Sequence, residues 1–354
     1  MTDTLPPLLE GVRILDLSAV ISGPLATGLM ADQGAEVWKV ESLAGGDMTR
    51  ALGAQHRGLT AMFATVNRNK KSIALDLKDP RGRDALLALA AQCDVFVENF
   101  RPGAAARLGL DYEAIKAVRP EVIYLSISGF GPEGPYTKRR VYDPVIQAVS
   151  GLAEAQGGAE PSLMRTLVCD KVTALTAAQA LSAALFARAQ GKGGRRLSLS
   201  MLDAALYFNW SDLFWNHTFL SPEAETHPEL ADTFGISRTA DGHLCAIVGA
   251  GVDFSDFTTE GAMAALDEYD IPCAPALPRA AVPDDPQVQA SESLVPHEHP
   301  VAGPMRQPRP PVRDGAPLRL APAPLLGADT EAVLAEAGLS AEAIAALRAA
   351  GVAR

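Results

Sequence analysis

The residue best placed to do chemistry is Asp170, which stands where a long helix must begin. From Lys171 to Arg188 the chain reads KVTALTAAQALSAALFAR, a run of strong helix formers without Gly or Pro, and Gly191 to Gly194 end it. A carboxylate at such a start accepts orphan backbone N–H bonds and suits the helix dipole, so its plain reading is a cap. The same group, held on a rigid helix end and open to a cleft, is a nucleophile for a thioester carbonyl. Spacing alone leaves both readings open.

Other candidates have the same double character. Lys78, Arg107, Arg139 and Arg140 have the chemistry to pair with phosphates, although a lone basic residue is more often a solvated surface group. The strings GGD (45–47) and GFGPEGP (129–135) make turns that can bring backbone N–H groups to a ligand, but GGD lacks the G-x-G-x-x-G dinucleotide pattern. His297 and His299 flank Glu298 without a convincing third ligand, so no metal is expected. Trp210, Phe214 and Trp215 read as core or interface. Cys93, Cys169, Cys245 and Cys273 are widely spaced, which suggests neither a disulfide framework nor a zinc site.

The elements that position these groups follow from periodicity. VRILDLS (12–18) reads as a buried strand, followed by a turn at Gly23-Pro24 and a helix to about Asp32. Strands follow at 36–42, 71–77, 94–100 and 122–128, with a helix opening at Asp79-Pro80. A further strand, RLSLS (196–200), precedes an apolar helix from about Met201 to Trp215. Alternating strands and helices predict a mainly parallel sheet with ligands at the carboxyl ends of its strands.

The length of 354 residues predicts two domains or one large domain with an insertion. We read 1–220 as a large Rossmann-like α/β domain, 221–324 as proline-rich linkers around a small, shortened second domain, and 325–354 as helices returning to the large domain. The formal net charge of −11 opposes binding to nucleic acid or an anionic membrane. The start of the chain lacks the features of a signal peptide, so a cytoplasmic protein without a membrane partner is expected.

Taken in order, LEGVRILDLS, GPLATGLMADQGAEVWKVE, GGDMTR, NRNKKSIALDLK, VENFRPGAAARLGL, ISGFGPEGPY, YDPVIQAVSG and SLSMLDAAL resemble the family III coenzyme A transferases of the CaiB/BaiF type over about residues 8–206. The ending, APLLGADTEAVLAEAGLSAEAIAALRAAGV, is similar to that family's as well. The resemblance implies that Asp170 is the nucleophile. It also places Val20 and Ile21 in the lining of the CoA site and Leu75 and Lys78 beside the nucleotide. Asn99, Phe100, Ala104 and Arg107 fall in the motif contacting adenine and pantetheine, and Arg140 falls near the phosphates. It implies acyl-CoA and carboxylic acid substrates, an interlocked homodimer, and no metal or redox cofactor, since coenzyme A enters as a substrate thioester.

Two departures bear on the activity. The racemase branch carries a His before an Asp where this chain has Tyr142-Asp143, which argues against two-base racemisation. The span between HLCAIVGAG (243–251) and YDIPCAPAL (269–277) is also shorter than is typical, so part of the acceptor pocket is expected to be missing. Besides CoA transfer, the sequence therefore leaves open an acyl-CoA racemase and a non-catalytic acyl-CoA-binding protein.

Overall fold

The computed structural model describes residues 5–157, 159–247 and 252–354. The chain divides into two compact units, one holding residues up to Leu206 together with Pro296–Arg354 and the other Tyr207–Val295. These boundaries differ from the expected 220 and 324 because the proline-rich chain after Pro296 belongs to the first unit. Prolines have no N–H to donate, but carbonyls in this segment are bonded from the first unit. Arg68 donates to Pro308 O (2.7 Å), Arg50 to Pro324 O (3.1 Å) and the Asn69 N–H to Ala321 O (3.1 Å).

The first unit is built on six strands: β1 (Arg13–Asp16), β2 (Glu36–Glu41), β3 (Lys70–Ala74), β4 (Val95–Glu98), β5 (Ile123–Ser128) and β6 (Arg195–Ser200). All pair in parallel, in the order β3-β2-β1-β4-β5-β6. Alternate residues enter different cores, as a period of two requires. Leu15, Trp38, Phe96 and Tyr124 fill one face with α2 (Pro80–Ala91), whereas Ile14, Val37, Val95 and Ile123 fill the other. The second face is covered by α1 (Ser22–Asp32) and by the helix that carries Asp170. Order reverses between β1 and β4, so the loops after those two strands flank the sheet's switch point, where ligands of such folds bind.

Among the helices that follow in the chain are α3 (Ala104–Leu108), α4 (Asp143–Val149), α5 (Val168–Ala189) and α6 (Met201–Leu213). By length and composition α5 could cross a membrane. In this fold its Ala174, Ala177, Leu181 and Ala184 pack into the second core. Helix α1 starts earlier than expected, so Gly23-Pro24 lies in its first turn. A Cβ at Gly23 would sit 2.2 Å from Ser18, so only glycine fits there.

In the second unit, β7 (Gly235–Arg238), β8 (His243–Ala246) and β9 (Cys273–Pro275) form an antiparallel sheet in the order β9-β8-β7. Helix α7 (Thr259–Asp267) closes a small core of Leu244, Ala246, Phe254, Ala262 and Leu266. The chain's last helices, α8 (Thr330–Glu336) and α9 (Ala341–Ala349), dock on the first core through Val333, Leu334, Ile344 and Leu347. The Asp329 carboxylate accepts the Ser72 N–H at 2.8 Å and anchors that tail.

Candidate functional site

The loop after β1 is held at almost every polar atom. Asp16 accepts the Ser18 N–H (2.9 Å), Lys39 donates to Ser18 O (2.8 Å) and Asp47 accepts the Val20 N–H (3.2 Å). Asn99 grips Ala19 at both ends, accepting its N–H at 2.9 Å and donating to its carbonyl at 2.8 Å. Val20, a β-branched residue, is thereby kept at a φ of 72°. Such a conformation costs about 1–3 kcal/mol and persists only where its surroundings over-determine it.

Two buried ion pairs anchor this arrangement. Lys39 meets Asp47 and Lys70 meets Asp16, each at 3.0 Å and out of contact with water. Burial alone would push the Asp16 carboxyl up, but Lys70 and Lys39 hold it far below the usual range. Burial pulls the Lys70 ammonium down to about 8 against the opposing pull of Asp16. Lys70 also donates to Pro24 O, Thr27 Oγ1 and Asn67 Oδ1 at 2.8 to 2.9 Å, which ties the first turn of α1 to the sheet.

Helix α1 opens with Ser22 beside Asp170. That aspartate is the third residue of α5 rather than its cap, and it is only 6% exposed. Its carboxyl is pushed up to about 6, first by burial and then by the charge of Asp143, while the Ser22 hydroxyl and N–H donate to the carboxylate and oppose the rise. The Asp170 N–H is in turn bonded to Asp143 Oδ2 at 2.9 Å.

Against the start of the strained loop lies a cavity of about 280 Å³, lined among others by Ser18, Ala19, Leu75, Lys78 and Phe100. Leu75, Lys78 and Phe100 therefore come together, and Val20 and Ile21 lie on the loop that runs from this cavity to Ser22. Asn99 is spent on Ala19, which makes it a support for that loop. Ala104 is half-buried and Arg107 exposed on α3; Arg140 is exposed in the 129–140 loop, and none of these three lines the cavity. A cavity of about 440 Å³, between the 309–319 segment and residues such as Leu29 and Gln179, contains none of the expected site residues.

His299 is committed to the backbone, with Nδ1 accepting from Val301 and Ala302 (both 3.1 Å) and Nε2 facing Ala323 O at 3.0 Å. Among the described residues no cluster of three or more His, Cys, Asp or Glu could hold a metal ion.

The sequence reading missed Asp16, Ser22, Lys39, Lys70 and Gln147. The signal for the two lysines was a charged residue inside an otherwise apolar strand, which has to find a buried partner. GGD did stand out. Its glycines take φ of 99° and 75° so that Asp47 can turn inward to Lys39 and Val20.

A family model described as CoA-transferase family III matches residues 9–257 and 251–330. The chain belongs to that family. A succinyl-CoA:glutarate CoA-transferase of Homo sapiens is 39% identical over 250 residues, covering 69% of this chain and 56% of that protein. This family III chain thus spans a little over half the length of that relative. An acyl-CoA transferase of Fusarium pseudograminearum is 33% identical over 95% of the chain and 86% of its own length. A formyl-CoA:oxalate CoA-transferase of Rhodopseudomonas palustris (strain BisA53) is 30% identical over 92% of each. The crystal structure of a CAIB/BAIF family protein from Brucella suis superposes with a TM-score of 0.81 at 27% identity, over 94% of this chain and all of that one. The mixed α/β architecture with its large parallel sheet is therefore the fold of the family.

Proposed function

We propose that this protein is a cytoplasmic CoA-transferase that moves CoA from an acyl-CoA to a carboxylic acid, with Asp170 as the covalent nucleophile. The observation that carries the reading is a buried carboxylate of raised proton affinity, set opposite Ser22 on the loop that runs to the cavity of Leu75, Lys78 and Phe100. An Asp170 oxygen attacks the thioester carbonyl and the CoA thiolate leaves, giving a mixed anhydride. The thiolate attacks the Asp170 acyl carbon, which releases the donor acid and forms an aspartyl-CoA thioester. The acceptor carboxylate displaces CoA to form a second anhydride, and thiolate attack on the acceptor's acyl carbon frees Asp170. In the first step the Asp170 carboxylate gives up its charge to the thioester oxygen; in the three later steps charge develops on the Asp170 oxygens, and the Ser22 hydroxyl and N–H are donors beside them. Exclusion of water protects the anhydride.

The diphosphate of CoA calls for cations that an acidic chain must supply locally, and Lys78, Arg107 and Arg140 are the groups assigned to it. Val20, Ile21, Leu75, Phe100 and Ala104 would line the rest of the thioester's path, with Asn99 holding the loop. Relatives named for succinyl-CoA with glutarate and formyl-CoA with oxalate support short acids as partners. The test is a panel of acyl-CoA donors and acids assayed for CoA exchange; no exchange with any pair would contradict the reading. Arg107→Ala should raise KM for the acyl-CoA about tenfold with little change in kcat, as for a group binding ground and transition states alike. An unchanged KM would remove Arg107 from the site.

Racemisation is disfavoured because Tyr142 is 57% exposed and Asp143 is bonded to a backbone N–H and to Gln147. An interlocked homodimer is supported by large apolar side chains left uncovered, among them Phe186, Tyr207, Phe219 and Leu220. Active monomer in sedimentation experiments would contradict it.

A further inference from the structure

Among the described residues Asp170 has a second buried carboxylate beside it and no cation paired with it. Four other buried acids of the first unit face a base, Asp16 meeting Lys70, Asp47 Lys39, Glu41 Arg50 and Asp32 Arg68, while buried Glu98 accepts the Phe100 N–H. Asp170 faces Asp143 instead. An unpaired buried charge is costly, and a fold that keeps one next to a reactive group invites a functional reason.

Asp143 opens α4 and is wholly buried. Its Oδ2 accepts the Asp170 N–H at 2.9 Å, and its Oδ1 accepts from Gln147 Nε2 at 2.5 Å, one helical turn along. Gln147, also buried, donates from the same nitrogen to Thr166 O at 3.0 Å and accepts the Met164 N–H on Oε1 at 2.9 Å. These contacts fix which way the amide points, so that its NH₂ group faces Asp143. Asp143 thus accepts hydrogen bonds on both oxygens, and the chain entering α5 is tied to α4 at residues 164, 166 and 170.

We infer that Asp143, oriented by Gln147, is a positioning residue for the reaction: its charge makes the Asp170 carboxylate a stronger nucleophile, and its hydrogen bond aims the first turn of α5. The inference rests on Asp170 being the group acylated, as proposed above. Repulsion between the two carboxylates raises the free energy of the resting site. It disappears when Asp170 becomes a neutral anhydride or thioester, so it favours acylation. The groups facing Asp170 from the packed elements are Asp143 of α4, the Ser22 O–H and N–H of α1, and Cys169 of α5 itself. Burial and the two carboxylates push the Cys169 thiol up to about 12, so it carries no charge in the working range.

The test is the pH dependence of kcat/KM for the acyl-CoA in Asp143→Asn, with kcat read at the plateau; the variant's amide oxygen still accepts the Asp170 N–H. With the wild-type rising limb near pH 6, loss of the charge should move that limb to lower pH by about one unit. It should also lower the plateau kcat about tenfold, with KM for the acyl-CoA changed less than about twofold. Asp143→Ala, which loses the hydrogen bond as well, should be slower still. An unmoved limb with an unchanged plateau in folded Asp143→Asn would overturn the inference. If Asp143→Asn does not fold, Gln147→Met releases Oδ1 and is read in the same way: a lowered plateau with KM retained supports the inference, and wild-type kinetics overturn it. Mass spectrometry of the wild-type protein during turnover separates this from the function itself, because an adduct on Asp170 together with an unmoved limb defeats the role of Asp143 alone.

Discussion

Asp170→Asn is expected to lower CoA transfer by at least about a thousandfold, because an amide cannot form the acyl intermediate, and at the same time to stabilise the fold at neutral pH. Folding buries the carboxyl beside Asp143 and pushes it up from the ordinary value of 3.8 to about 6. A carboxyl raised in this way binds its proton more tightly when folded. The wild type therefore carries no penalty below about pH 4, loses stability as pH rises from 4 through 6, and stays at the lower level above that. At pH 7 to 8 the penalty is on the order of 3 kcal/mol. The Asn variant imitates the neutral carboxyl, so its gain over wild type should appear above pH 4 and be complete near pH 7. Urea denaturation of both proteins at pH 4, 6 and 8 measures it. A gain that grows towards acid, or loss of stability at pH 8, would contradict this picture of the site.

Lys70→Met should have the largest effect on folding. It leaves Asp16 charged and fully buried, with Pro24 O and Asn67 Oδ1 deprived of a donor. Removing one partner of a buried pair costs about 3–5 kcal/mol. Adding Asp16→Asn should restore much of that loss, since the unpaired charge is then gone and Thr27 Oγ1, which bonds Asp16 Oδ2 at 2.6 Å, keeps an acceptor. Denaturation midpoints of the wild type and the three variants complete a double-mutant cycle. Simple addition of the two single losses would show that Asp16 and Lys70 are not coupled in the way their contact requires.

Much of the fold was legible because it depends on local pattern. The runs VRILDLS, EVWKVES and VIYLSIS became parallel strands buried on both faces, and Asp79-Pro80 opened α2 with the Asp79 side chain accepting the Arg81 N–H. Asp170 was visible at a helix start, although the helix reaches back to Val168 and the Asp170 N–H is taken up by the side chain of Asp143. What stayed hidden arises through space. No local pattern pairs Lys70 with Asp16, makes Asn99 grip Ala19, or holds Val20 at positive φ. The unit boundaries escaped for a related reason, since the proline-rich return is bound by Arg50, Arg68 and Asn69 from far upstream.

The most direct test of the account is mass spectrometry of the intact chain during turnover with an acyl-CoA and an acceptor acid, followed by mapping of the modified peptide. The account predicts a mass increase equal to CoA less water, located on Asp170, chased away by excess acceptor and absent in Asp170→Asn. Sustained CoA transfer with an adduct on another residue, or by a folded Asp170→Asn protein, would contradict it.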